Sequence, residues 1–201
     1  MRKIFKIAGA IIAILIIALV IVFALAALDV GSYSSDANSS QTLPAKGTLV
    51  GNALVVFDPG MSGNAKNVAT AVASSLQDNG YQVTLAGIKS QAATNYSTSG
   101  YALIVVGGPC YMGKAASSVQ NYLKTFNPPQ NTTVGAFGIG VLPPDGNTTQ
   151  AIANEVAPLP ADSSVTIKAA MKIVNGQDIN GNSETFVAEL LNQERPFFAQ
   201  P

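Results

Sequence analysis

The chain has no histidine and no tryptophan, a single cysteine, and charged side chains at only 11% of its 201 positions. Each shortage closes off a class of chemistry. Without histidine there is no imidazole base near neutral pH, no Ser-His or Cys-His nucleophile pair, and no imidazole-ligated metal. Cys110 alone can form neither an intramolecular disulfide nor a multi-thiolate zinc or iron–sulfur site. Eleven lysines and arginines balance eleven aspartates and glutamates, and no basic cluster follows the first six residues, so the electrostatic footprint of a nucleic-acid binder is missing. Average soluble proteins carry roughly 25% charged residues, so this surface relies on Ser, Thr, Asn and Gln. Chemistry on such a chain calls for a bound cofactor.

Apolar side chains, by contrast, are plentiful and ordered. Residues 7–28 contain no charged or strongly polar side chain, and a helix of that length, rising ~1.5 Å per residue, spans a ~30 Å hydrocarbon layer. Arg2, Lys3 and Lys6 precede it and Asp29 follows. The positive-inside bias therefore predicts a single-pass anchor with a cytoplasmic N-terminus and the remainder outside the cell membrane. Two alternatives stay open. One is signal-peptide cleavage near Ala24 to Ala27 followed by secretion; the other is an anchor whose domain remains cytoplasmic. Asn-x-Ser/Thr triplets at Asn38, Asn95, Asn131 and Asn147 suit an exported surface, although a chain this rich in Asn, Ser and Thr produces some by chance.

Residues 29–50 are polar and small and read as a flexible linker. From Ala53 short apolar runs alternate with amphipathic stretches, the pattern of βαβ units and a parallel sheet. Strands are expected at 53–57, 81–86, 101–106, 134–139 and 164–174. Helices are expected from about 64, over 114–126, 148–156 and 183–192, with a short one in the polar stretch before Gly100. Gly107-Gly108-Pro109 is expected to break the third strand. The result is a doubly wound, three-layer α/β domain over residues 51–193, with a five-stranded parallel sheet and a tail at 194–201.

In such a sheet a ligand belongs beyond the carboxyl ends of the strands, at the switch point. Three segments lie there. In Gly60-Met61-Ser62-Gly63-Asn64-Ala65 a glycine-bearing turn opens a helix, and backbone N–H groups at a helix N-terminus bind phosphate. Gly107-Gly108-Pro109-Cys110-Tyr111-Met112-Gly113 follows the third strand, and Phe137-Gly138-Ile139-Gly140 ends the fourth.

On these segments the chain resembles the flavodoxin family across residues 51–193. The resemblance implies a sheet of order 2-1-3-4-5, bound FMN and electron transfer with a redox partner protein or quinone. The first segment matches the family's phosphate loop, usually hydroxyl, any residue, hydroxyl, glycine, asparagine, hydroxyl. Only Ser62 keeps a hydroxyl here; Gly60 and Ala65 have none, which implies weaker phosphate binding, since a hydrogen bond to a charged group contributes roughly 1.5–3 kcal/mol. In the second segment Tyr111 stands where the family stacks an aromatic ring on the flavin, flanked by Pro109, Cys110, Met112 and Gly113; a tyrosine packed on a neighbouring helix is the plainer alternative. Cys110, a lone thiol, reads as a small buried apolar residue rather than a redox group. After Gly138 and Gly140 the family's second stacking ring is replaced by Val141-Leu142-Pro143-Pro144-Asp145-Gly146, leaving Leu142 or the prolines as supports. Asp58 and Lys66 flank the phosphate loop as solvated charges or weak ligand candidates. Two further functions remain compatible: a binding or scaffold module of this fold without FMN, and a flavin-dependent quinone-type reductase using NAD(P)H.

Overall fold

The computed structural model describes residues 14–21, 31–96 and 100–192. The outer parts of the expected 7–28 span, the cleavage region near Ala24 and the tail 194–201 lie outside the described residues. Within the span, 14–21 is helical and its large apolar side chains from Ile14 to Ile21 are all exposed. No helix of the described residues is long and apolar enough to cross a membrane.

A mixed seven-stranded sheet organises the domain. In chain order its elements are a helix at 31–38 (α1), β1 (Ser40–Leu43), β2 (Gly51–Phe57), α2 (Asn64–Asp78), β3 (Tyr81–Gly87), α3 (Gln91–Thr94) and β4 (Leu103–Tyr111). The chain continues through β5 (Lys114–Ala115), α4 (Ser117–Leu123), β6 (Thr133–Gly140), α5 (Thr149–Val156), β7 (Ile167–Val174) and α6 (Ile179–Leu190). The strands run β1-β3-β2-β4-β6-β7 across the sheet, with β5 paired only to β4.

This order differs from the expected five-stranded, all-parallel one by two additions. The first is β1, which pairs antiparallel to β3, Ser40 opposite Ala86 and Leu43 opposite Val83. It comes from the stretch expected to be a slack linker. Backbone pairing places it there rather than an apolar face, since its first three residues are exposed, so hydrophobic pattern gave no sign of it. The packed unit therefore begins before residue 51.

The second addition arises because Gly107-Gly108-Pro109 does not break β4. These residues stay in parallel register with Phe137, Gly138 and Ile139 of β6. Pro109 is tolerated because β2 has already ended at Phe57, opposite Gly107. On that side its carbonyl instead accepts from the Ala116 N–H, at 2.9 Å. Beyond it the chain turns back at Met112-Gly113 into β5, with Tyr111 opposite Lys114 and Cys110 opposite Ala115. The expected helix at 114–126 is shortened accordingly to Ser117–Leu123, and the last helix starts earlier than expected, at Ile179.

The central strands are buried on both faces, and their side chains alternate between two cores. Ala53, Val55 and Phe57 of β2, with Leu103 and Val105 of β4, pack under α2 and α6. Leu54, Val56, Ile104 and Val106 join Val119, Leu123 and Val156 under α4 and α5 on the other face. All parallel strands thus present their carboxyl ends at one edge, which carries the loops after β2, β4 and β6.

Candidate functional site

The loop after β2 is shaped by a buried carboxylate. Asp58 continues the β2 line, its N–H donating to the Gly107 carbonyl at 2.9 Å, and its side chain is only 3% exposed. Oδ1 accepts from the Gly60 N–H at 2.8 Å and Oδ2 accepts from the Ser118 hydroxyl at the start of α4. Aspartate bonding its own backbone two residues on is a turn-forming device, and it delivers Gly60 at φ +63°. Glycine is required there twice over, by the left-handed backbone and because a Cβ would lie 3.0 Å from Cγ of Pro109.

At the end of this loop Gly63 stands as the N-cap of α2 with φ +70° and offers no side-chain cap. The first-turn amides of a helix lack intrahelical acceptors and sit at the positive end of its dipole. The Ser62 hydroxyl reaches only the Asn64 N–H, at 3.5 Å. Ala65 has its methyl in the core, 1% exposed, so it can offer a ligand only its backbone. Lys66 does not point freely at the loop; its ammonium pairs with Asp36 of α1 at 2.6 Å.

The second segment is a strand and hairpin tip rather than a free loop. Tyr111 is 56% exposed and Met112, at φ +50°, is 90% exposed. The Tyr111 pKa is raised, by burial first and then by the Asp58 carboxylate, with the Met61 backbone offsetting part of the rise. Cys110 turns the other way. It is buried with Val156, and a Cβ on Gly138 would sit 2.7 Å from its Sγ. Burial pushes its thiol up to about 11, the nearby Lys172 ammonium offsetting only part of the rise. Cys110 and Gly138 are thus packing residues beneath the site, and their side-chain positions do not reach its surface.

Past β6, Gly140 lets the chain press on the Cys110 carbonyl, 2.7 Å from where its Cβ would be. Val141 and Leu142 then project outward, 67% and 49% exposed. The rest of this loop is held by an ion pair that the sequence did not reveal. Lys172 of β7 and Glu155 of α5 meet at 2.5 Å with side chains 1% and 10% exposed. The Lys172 ammonium also reaches the Pro143 carbonyl at 3.3 Å, and Glu155 accepts from the Asp145 N–H at 2.6 Å. An isolated Lys in a β-run was the only available signal.

Two shallow clefts lie at the opposite edge, before β6 and β7. The larger, about 400 Å³, is lined by Pro128 to Thr132, Val134 and Ser164 to Thr166, without any charged side chain. Among the described residues no His, Cys, Asp and Glu cluster could hold a metal ion. The convergence of residues lies at the carboxyl edge.

No family model matches the chain, and no curated protein matches it. Solved structures are similar to it at low identity. One is the flavodiiron core of Flv1 from Synechocystis sp. PCC6803, 15% identical, TM-score 0.49, over 71% of this chain and 36% of that one. Another is oxidised Flavodoxin 2 from Bacillus cereus, 15% identical, TM-score 0.47, over 71% of this chain and 99% of that one. A third is a short-chain flavodoxin associated with a non-canonical PDU bacterial microcompartment, 18% identical, TM-score 0.48, over 72% and 98%. The parallel strands β3-β2-β4-β6-β7 follow the 2-1-3-4-5 order of a flavodoxin-like doubly wound sheet. The chain spans about a third of the flavodiiron core and nearly the whole of these flavodoxins.

Proposed function

We propose that the chain is an FMN-binding electron-transfer protein held at the outer face of a cell membrane by residues 7–28. One observation carries the flavin part. Apart from the 14–21 helix and Leu49 and Val50 at the far edge, the exposed large apolar side chains of the described residues are Met61, Tyr111, Met112, Val141 and Leu142. These five occupy the three loops at one edge, and a clustered apolar patch on a polar surface marks a binding site. Its chemistry suits a flat aromatic ring beside an anionic tail. Tyr111, Met112, Val141 and Leu142 would hold the ring, and the uncapped first turn of α2 with Ser62 would hold the phosphate. When bound, FMN supplies one- and two-electron redox chemistry. The protein's own residues need only bind it, orient it and limit water.

Titration of the detergent-extracted chain with FMN tests this reading. Binding should quench flavin fluorescence and raise the melting temperature by mass action, and Tyr111→Ala should weaken it. A colourless protein with no quenching and no thermal shift would overturn it.

A second reading, a module of this fold without flavin, is favoured by a different observation. Asp58 already holds the Gly60 N–H at 2.8 Å, so one of the loop's donors is engaged inside the protein. That reading expects an unchanged melting temperature with FMN.

The anchor rests on 14–21, helical and exposed on every side. A helix apolar all round is stable only inside a protein core or in lipid, and nothing in the domain covers this one. The charge bias at its ends supports an outward domain.

A further inference from the structure

Helix α1 and the start of β1 are fastened at the carboxyl edge of the sheet. Ala37 is fully buried. Its carbonyl accepts from the Lys89 N–H at 2.8 Å, and the Ser39 carbonyl accepts from the Gly87 N–H at 2.8 Å. The approach is so close that a Cβ on Gly87 would lie 2.1 Å from the Asp36 carbonyl oxygen. Asp36 ties the same helix to the first turn of α2 through Lys66. Tyr33, three residues before Asp36 and hence on the same helix face, has the Lys89 ammonium 5.2 Å from its ring centroid.

These contacts put α1 at the ends of β2 and β3, while Val141 and Leu142 stand at the end of β6, beyond β4. We propose that α1 forms the wall of the flavin site facing the 141–146 loop, and that Tyr33 is a positioning residue whose ring bounds the bound flavin on that side. This rests on the FMN reading given above. Two further facts agree. Tyr33 is partly buried on the same helix face as Ala37, which is fully buried. The Tyr33 hydroxyl is held above the usual phenol range by burial, then by Asp58, then by Tyr111.

The test uses the full chain in detergent. FMN affinity is measured by fluorescence quenching for the wild type, Tyr33→Ala and Tyr111→Ala, and backbone hydrogen exchange is followed over 31–43 with and without FMN. Tyr33→Ala should raise Kd about tenfold, the size of one aromatic contact, with the melting temperature of the FMN-free protein little changed. FMN should slow exchange in 31–38 of the wild type, a readout that stands even where a variant folds poorly. If Tyr111→Ala weakens binding while Tyr33→Ala does not, and exchange in 31–38 is unaffected, the wall is refuted and the flavin reading survives. If the wild type binds no FMN, both fall together.

Discussion

Among single residues the sharpest energetic feature is Lys172. Its ammonium is buried, and three groups answer it: the Glu155 carboxylate, the Pro143 carbonyl and, through Glu155, the Asp145 amide. Removing one partner of a buried ion pair strands the other charge, which costs about 3–5 kcal/mol, whereas replacing both by apolar groups is often close to neutral. Lys172→Met should therefore lower unfolding stability by about that amount in urea titration, and Lys172→Met with Glu155→Leu should recover most of it. The pair also sets a pH dependence. Burial alone would raise the Glu155 pKa, but the Lys172 ammonium and the Asp145 amide outweigh it and hold the carboxyl below its usual range. A carboxylate depressed in the folded state contributes stability above its unfolded pKa, about 4.3, and that contribution is lost as pH falls through the folded value. Melting temperature should thus fall on acidification below about pH 4.3, and Glu155→Gln should flatten that fall. Sequence could show Lys172 and Glu155 only as charges in a β-run and a helix. Their meeting depends on α5 crossing beside β7, which no local pattern encodes.

At the level of elements, legibility followed burial. The doubly buried runs of β2 and β4 and the amphipathic face of α2 were visible because the hydrophobic pattern is itself what folds them. Strand β1 and helix α1 were not, since backbone pairing, the Asp36–Lys66 ion pair and isolated apolar residues such as Ala37 and Leu43 hold them, and none of these makes a periodic pattern. The continuation of β4 was misread for another reason. Two glycines and a proline signal a break, yet each fits a particular neighbour. A Cβ on Gly107 would fall 2.3 Å from the Phe137 carbonyl oxygen and 2.4 Å from its ring, and one on Gly108 2.9 Å from the Asp58 Cβ. These glycines let adjacent strands and the Asp58 turn close up. The site inherits the consequence, because Tyr111 is aimed by a strand end and not by a mobile loop. Gly107→Ala must push against backbone as well as a ring, and overpacking of this kind costs about 1–3 kcal/mol. Chemical denaturation should show that loss, accompanied by weaker FMN binding as the Tyr111 tip shifts.

For the molecule as a whole, the proposed anchor makes the side of the membrane on which the domain would stand the decisive question, and two neighbouring residues make it measurable. Cys110 is the only cysteine in the chain. It is 6% exposed with its thiol pushed up to about 11 by burial, so near neutral pH it is protonated and shielded, and thiolate-directed reagents should leave it unmodified in the folded protein. Two positions away Met112 is 90% exposed on the hairpin tip. Met112→Cys therefore places one reactive thiol on the ligand edge of an otherwise silent chain. A membrane-impermeant maleimide applied to intact cells should label this variant to the same extent as in lysed cells, and should leave the wild type unlabelled in both. Labelling of the variant only after lysis would put the domain in the cytoplasm and reverse the direction read from Arg2, Lys3 and Lys6. The distinction bears on the cofactor as well. A flavin made in the cytoplasm must be captured before export or supplied outside, so an outward domain calls for a site that keeps its ligand once bound. A wall formed by α1 and fastened to α2 by Asp36 and Lys66 would serve retention of that kind, by slowing release from the proposed phosphate loop, in which only Ser62 keeps its hydroxyl.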